Sequence, residues 1–179
     1  MDVTRWWLVV LTLTSGCSKP SSSPGGVRDF SIGLIGEHGP EVSVRLDVPK
    51  GWKVRPDPYA AVLVAPGASE LEPTVMVTAS NCTKVRDPST LELRVATATE
   101  CLVARATVAP GSPPAPAVET TAAGPRIVKP GAGAGSALEI ITLTPDQTVD
   151  LACSVRGTGA VLAQARAVCE GMVVENVRP

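Results

Sequence analysis

The sequence predicts an α+β domain in which an antiparallel β-sheet is covered by a middle helix and a C-terminal helix. Short segments rich in Val, Ile and Leu recur along the chain, and the segment from Val42 to Val48 alternates apolar and polar residues, as a half-buried strand does. Two further segments place apolar residues at helical spacing. The connections between most of the predicted strands are short, which favours antiparallel pairing. Four cysteines within this domain suit two disulfides.

The N-terminus carries the pattern of an export signal. Arg5 precedes the apolar segment Trp6 to Leu13, which is far shorter than the roughly 20 residues that cross a bilayer. The next four residues, Thr14-Ser15-Gly16-Cys17, resemble the lipobox of bacterial lipoproteins. This resemblance implies that residues 1–16 are a signal peptide and that the Cys17 thiol is acylated. The alternative is an ordinary secretory signal, cut near Gly16, that leaves Cys17 as a free thiol.

The chain after the signal divides into a tether and one domain. Residues 17–27 are rich in Ser, Pro and Gly and bury too little surface to offset their ordering entropy, so we expect a flexible tether. Removing 16 residues from 179 leaves 163, the size of a single domain, which we place at residues 28–179. The net charge is −1 and there is no basic block, so the charge distribution gives no indication of nucleic-acid binding.

Four strands are predicted in the first half of this domain. The clearest is the alternating segment Val42 to Val48, which ends at a turn formed by Pro49-Lys50-Gly51-Trp52. The other three strands are expected at residues 30–37, 60–65 and 74–79. Together they suggest an antiparallel meander.

A middle helix is predicted to begin at Ser89. Ser89 and Glu92 have the spacing of a capping box, in which each residue satisfies a free backbone N–H of the first turn. Apolar residues then recur on one helix face, namely Leu91, Val95, Ala98 and Leu102.

The second half is predicted to hold three strands and the last helix. We expect one irregular strand within 118–128, strands at 138–143 and 147–156, and a helix at 159–174 that ends the domain. One face of the third of these strands carries Val149, Leu151, Cys153 and Val155. One side of the helix carries Leu162, Ala165, Cys169 and Met172.

The cysteine count supports an exported protein. If Cys17 is set aside for a lipid, an even set remains, consisting of Cys82, Cys101, Cys153 and Cys169. Zinc is the competing use, but no two cysteines have C-x-x-C spacing and the single histidine is His38. Four cysteines allow three pairings. The strand and helix periodicities both direct Cys153 and Cys169 into the core, so we prefer that pair, and Cys82–Cys101 then follows by elimination.

The order of these elements is similar to that of the PsbP-like α/β sandwich, in which helices cover an antiparallel sheet. The resemblance rests on the turn Pro49-x-Gly51-Trp52 and on the succession of strands, middle helix, strands and C-terminal helix. It implies binding or assembly roles more than catalysis, and it transfers no functional residues.

No motif predicts a catalytic, cofactor-binding or metal site. The Gly/Ala segment from Gly131 to Ser136 lacks the lysine of a phosphate-binding loop and precedes a predicted strand rather than a helix. His38 lies in a turn without a nucleophile nearby in sequence, and we interpret Asp146 and Asp150 as surface residues. We expect Trp52 to pack over the edge of the core rather than to form a ligand platform.

The sequence therefore favours a lipid-anchored, non-catalytic binding or interaction domain of the cell envelope. Its expected partners are the membrane, through the lipid, and either an envelope protein or a small ligand, and nucleic acid is not among them. Ser18 after the acylated cysteine, by analogy with lipoprotein sorting, favours the outer membrane, facing the periplasm or the cell surface. The alternatives are an envelope hydrolase with a dispersed active site and an ordinary secreted soluble protein.

Overall fold

The computed structural model describes residues 25–34, 41–81, 84–86, 90, 93–95, 97–106, 117–121, 124–131 and 135–178. These residues are mostly antiparallel β-sheet with two helices. The strands are β1 (Gly26–Gly33), β2 (Glu41–Val48), β3 (Lys53–Arg55), β4 (Ala60–Val64), β5 (Val75–Asn81), β6 (Lys84–Arg86), β7 (Leu93–Val95), β8 (Val118–Thr121), β9 (Gly124–Lys129), β10 (Ser136–Leu143), β11 (Val149–Arg156) and β12 (Val173–Arg178). The helices are α1 (Ala98–Ala106) and α2 (Gly159–Glu170).

The strands form one large sheet and two small ones. The large sheet has seven strands in the order β3-β4-β5-β11-β10-β9-β8, a second sheet has the order β1-β2-β12, and β6 pairs with β7. All of these pairs are antiparallel. The short connections predict this for strands that are neighbours in sequence, whereas the pairs β5–β11 and β2–β12 join strands far apart in the chain. A single parallel bridge between Leu34 and Ala79 links the end of β1 to the large sheet.

The main core lies between the large sheet, the three-stranded sheet and α2. The alternation predicted for β2 is confirmed, because Val42, Val44, Leu46 and Val48 are buried in this core. One face of β11 contributes Val149, Leu151, Cys153 and Val155, as the strand period predicts. Trp52 is 1% exposed in the same cluster, so the prediction that it packs in the core is confirmed and the ligand-platform alternative is wrong.

A second, smaller core covers the opposite face of the large sheet. Cys101 and Leu102 of α1 pack there with Ile127, Ile141 and Ala152. Strand β11 is therefore buried on both faces, which its alternating sequence does not indicate. None of the described helices is long and apolar enough to cross a membrane.

The middle helix begins later than the sequence predicts. Leu93–Val95 is a strand, and α1 starts at Ala98, so a helix running from Ser89 through Val95 is wrong, while Ser89, Leu91 and Glu92 lie outside the described residues. The capping box that forms is Thr97-x-x-Glu100. The Glu100 N–H donates to Thr97 Oγ1 at 3.2 Å, and the Thr97 N–H donates to Glu100 Oε2 at 2.9 Å. This box lies eight residues after the predicted one at Ser89 and Glu92. Because Leu93–Val95 pairs with β6 as a strand, the helix can begin only after Val95.

Replacing Thr97 with alanine should lower the free energy of unfolding by about 1 kcal/mol, because an N-cap hydroxyl satisfies a backbone donor that would otherwise lack a partner. Urea unfolding followed by circular dichroism measures this loss. Thr99→Ala, at an exposed position within the first turn, is the matched control and should change stability by less than about 0.5 kcal/mol. Equal losses in the two variants would contradict the capping role.

The last element of the described residues is a strand rather than the predicted helix. Helix α2 ends at Glu170, where the Gly171 N–H donates to the Ala167 carbonyl at 2.9 Å. Residues 173–178 form β12, which pairs with β2 at the edge of the three-stranded sheet. The prediction of helix through Val174 is wrong because the two valines at 173 and 174 favour a strand once an open edge is available.

Four other boundaries differ from the prediction. Strand β1 begins at Gly26, so the last two residues of the expected tether lie in a strand, and residues 35–37 lie outside the described part. Strand β3 follows the Trp52 turn, at residues for which the sequence pattern predicts no strand. The single irregular strand within 118–128 is wrong, since β8 and β9 form a hairpin. Gln147 lies in a turn with φ 60°, and β11 starts only at Val149.

Candidate functional site

The preferred disulfide is confirmed. Cys153 of β11 and Cys169 of α2 are bonded, with their Cα atoms 5.8 Å apart and 16 residues apart in sequence. Both belong to the main core, so the bond joins the centre of the large sheet to the helix that covers it. Cys101 is buried and is also disulfide-bonded. Cys82 lies outside the described residues, so its pairing with Cys101 stays a prediction.

Two other residues singled out by the sequence lie outside the described part of the chain. These are Cys17, the predicted lipidation site, and His38. Lipidation of Cys17 therefore stays a prediction. The Gly/Ala segment is described only at Gly131, Gly135 and Ser136, and it leads into strand β10, as expected.

A groove of about 250 Å³ lies where α2 crosses the end of β2. It is lined by Asp47, Pro49, Gln164, Ala167 and Val168. The turn after β2 builds one wall, because Gly51 adopts φ 85° and the Trp52 N–H donates to the Pro49 carbonyl at 3.2 Å. Helix α2 builds the other wall, and the buried Val168 fixes it against the core. We call this feature the α2–β2 groove.

The chemistry of the α2–β2 groove suits binding. Pro49, Ala167 and Val168 give it apolar walls, while the carboxylate of Asp47 and the amide of Gln164 offer hydrogen bonds at exposed positions. Its volume is somewhat below the roughly 300–1,000 Å³ of drug-sized ligand pockets. A groove of this size and polarity fits one or two side chains of a partner, or a small ligand that donates hydrogen bonds.

A second polar feature crosses the opposite face of the large sheet. Lys129, Glu139 and Ser154 are neighbours on three adjacent strands, β9, β10 and β11. The Lys129 ammonium lies 3.0 Å from Glu139 Oε2, and the Ser154 hydroxyl donates to Glu139 Oε1 at 3.3 Å. The Lys129 and Glu139 side chains are only 8% and 17% exposed, so solvent screens the ion pair little. We call these three residues the cross-strand row.

Sequence reasoning missed the cross-strand row. Lys129 stands two residues after the buried Ile127, and Glu139 stands two residues before the buried Ile141. The strand period thus places both charges on the face that carries these isoleucines. The missing information was the register between β9 and β10, which sets Lys129 opposite Glu139. The row joins β9 to β10 by an ion pair and β10 to β11 by a hydrogen bond, which is a structural role.

The interpretation of Asp150 as a surface residue is wrong. Asp150 is 3% exposed, and its Oδ1 accepts a hydrogen bond from the Ser80 hydroxyl at 2.8 Å across the β5–β11 pair. It is buried because β11 is a central strand whose second face is also covered. The Ser80 hydroxyl therefore satisfies one oxygen of this buried carboxylate across two neighbouring strands.

Asp146 is exposed, as predicted, and it organises the turn between β10 and β11. The Thr144 hydroxyl donates to Asp146 Oδ1 at 2.5 Å, and this bond lowers the pKa of Asp146 below its ordinary value of 3.8. Partial burial opposes the shift, while the Thr148 hydroxyl, which donates to Oδ2 at 2.9 Å, adds to it. These bonds form to the ionised carboxylate, so the turn is more stable when Asp146 is charged.

Replacing Asp146 with asparagine should therefore reduce stability near neutral pH, by at most about 1 kcal/mol, because the carboxylate is exposed to solvent. A depressed folded-state pKa stabilises the protein fully above the unfolded value of 3.8 and loses that effect as the pH falls through the folded pKa. The difference between the parent protein and Asp146→Asn should thus shrink in acid. Urea unfolding across this range tests it, with the exposed Glu72→Gln as control. A difference independent of pH would contradict the assignment.

Within the described residues, no three His, Cys, Asp or Glu side chains are close enough together to hold a metal ion. Comparison of the chain with protein-family models, with curated proteins and with solved structures finds no significant match.

Proposed function

We propose that this chain is an exported lipoprotein of the cell envelope whose folded domain binds a partner rather than catalysing a reaction. The lipid is attached at Cys17, after removal of residues 1–16, and holds the domain at the outer membrane. The partner is an envelope protein or a small ligand, and the α2–β2 groove is the surface that receives it.

The observation that carries this proposal is the Cys153–Cys169 bond in the main core. Disulfides of this kind form and persist in oxidising compartments and are rare in the cytosol. A signal-like N-terminus and a structural disulfide are independent features, and both favour export. The proposal extends to a second bond between Cys82 and Cys101, which would attach α1 to the polypeptide after β5, and to a PsbP-like relationship of the fold.

The polar side chains within the large sheet favour binding over catalysis as the function, because they bond one another across neighbouring strands. Lys129, Glu139 and Ser154 bond one another across three strands, and Ser80 bonds Asp150 across two. Each of these contacts has a structural use within the sheet. The α2–β2 groove, by contrast, combines apolar walls with exposed hydrogen-bonding groups, which is how a recognition surface is built.

Cys17→Ala should move the protein from the membrane fraction to the soluble fraction, because a thiol is required for acylation and stable anchoring needs more than one acyl chain. Fractionation of cells followed by mass measurement of the membrane-bound form tests this. Ser18→Ala, which keeps the thiol, is the matched control and should stay with the membrane. Retention of Cys17→Ala in the membrane would refute the lipid anchor.

The same membranes test the binding site. A photoreactive residue at position 164, in the groove, should give a discrete crosslinked product when it is introduced into the full-length protein. A photoreactive residue at position 163, which is exposed on the same helix but does not line the groove, is the control. Equal crosslinking yields from the two positions would refute the groove as the binding surface.

A further inference from the structure

The N-terminal tether leaves the domain beside the turn that follows β2. Gly26 pairs with Val48 at the start of β1, and Gly25 approaches the turn so closely that a Cβ atom there would lie 2.6 Å from the Lys50 backbone nitrogen. The segment that precedes Gly25 therefore joins the domain at this end of the sheets, beside the connection from β2 to β3.

The loop between β4 and β5 lies at the same end. Strand β3 begins where β2 ends, and β4, its antiparallel partner, finishes opposite the start of β3 at the Lys53–Val64 pair. The two connections are adjacent, because a Cβ atom on Gly51 would lie 3.7 Å from Pro66 Cγ. The tether exit, the β2–β3 turn and the β4–β5 loop thus form one end of the domain.

This end presents Leu71, which at 90% exposed is the most exposed large hydrophobic side chain among the described residues. Three contacts hold the loop that carries it in place. Arg55 Nη1 donates to the Glu70 carbonyl at 2.6 Å, Lys53 pairs with the Glu70 carboxylate at 3.0 Å, and the Leu71 N–H donates to Ser69 Oγ at 3.2 Å. Leu71 is therefore held outward by a fixed loop.

A single exposed leucine is ordinary on a protein surface. Leu71 is of interest because it lies at the same end of the domain as the tether exit. From Cys17 to Gly25 is 25 − 17 = 8 residues. Even when fully extended, such a segment spans at most about 28 Å. A lipid at Cys17 would keep the tether-exit end within that distance of the bilayer, close enough for Leu71 to reach it.

We propose that the β4–β5 loop contacts the bilayer and that Leu71 inserts at the boundary between headgroups and acyl chains, as a second membrane contact that orients the domain. This inference rests on the lipid anchor proposed above. Leu71 supplies the apolar part of this contact. Of the two glutamates that flank it, Glu70 pairs with Lys53, and the exposed Glu72 would stay at the level of the headgroups. The lipid provides the affinity, and the leucine restricts which end of the domain faces the membrane.

The test uses the full-length lipoprotein in vesicles of phosphatidylethanolamine and phosphatidylglycerol. Leu71→Trp adds a fluorescent reporter at the proposed contact. Tyr59→Trp adds the same reporter at the opposite end of the sheet, in the β3–β4 connection, where Tyr59 is 46% exposed. Trp52 is the only tryptophan of the chain after the leader, so the spectrum of the parent protein can be subtracted. Because both variants carry tryptophan, its own preference for interfaces is matched.

We expect the added tryptophan of Leu71→Trp to emit at shorter wavelength in vesicles and to be quenched by brominated lipids. The added tryptophan of Tyr59→Trp should keep the emission of a water-exposed indole. If the protein floats with the vesicles but both reporters are quenched equally little, the inference is overturned and the lipid anchor stands. If the parent protein does not float with the vesicles, the anchor and the inference both fall.

Discussion

Replacing Trp52 with alanine should lower the free energy of unfolding by about 3–5 kcal/mol, the range measured for large-to-small substitutions of buried aromatic side chains. Trp52 is 1% exposed and belongs to the main core between the two larger sheets. Its removal would leave a cavity where the turn after β2 meets the large sheet. For a domain of this size the melting temperature should fall by roughly 6–20 °C, measured by thermal unfolding.

Tyr59→Ala is the matched control for this substitution. Tyr59 is also an aromatic residue in a connection next to a strand, but it is 46% exposed. Its loss should therefore cost less than about 1 kcal/mol. If the two alanine variants were equally stable, Trp52 would not be the core residue that its burial indicates.

Breaking the Cys153–Cys169 bond should cost about 3 kcal/mol, since the bond closes a loop of this length and restricts the unfolded chain. The residues are 16 apart in sequence and join β11 to α2. Cys153→Ala, Cys169→Ala and the double variant should be destabilised to similar extents, because either single change removes the whole bond. Urea unfolding without reductant measures the three losses.

The double variant is also the control for chemical reduction. Reductant should destabilise the parent protein more than it destabilises the double variant, in which only the bond at Cys101 remains. Losses that add up across the two single variants, or a loss below about 1 kcal/mol, would contradict a shared bond of this strength.

The α2–β2 groove and the tether exit share one element, the turn after β2. Pro49 lines the groove, and Lys50 contacts the start of the described chain at Gly25. If the lipid holds this end near the bilayer, the groove faces the space just above the membrane surface.

Local patterns in the sequence predict those features that depend only on the spacing of apolar residues along a single strand or helix. The alternation at Val42–Val48 located β2, and two independent periods brought Cys153 and Cys169 together. Trp52 was placed in the core because a large apolar side chain beside a strand end has few other favourable positions.

Tertiary contacts decided the features that depend on a neighbouring element. Leu93–Val95 is a strand because β6 pairs with it, and Val173–Arg178 is a strand because the edge of β2 is open to it. The apolar spacing that predicts a helix through Val95 and a helix through Val174 is outweighed there by ladder hydrogen bonds to a neighbouring strand.

The sequence by itself determined that this protein has an antiparallel α+β domain with a core disulfide between Cys153 and Cys169, and it predicts an N-terminus of the export type. Only the tertiary structure decided that Asp150 is buried, that Lys129 pairs with Glu139, and that Leu71 stands exposed beside the tether exit. The physical reason is that a strand's period shows which residues share a face, whereas the layers packed around the sheet determine whether that face meets protein or water.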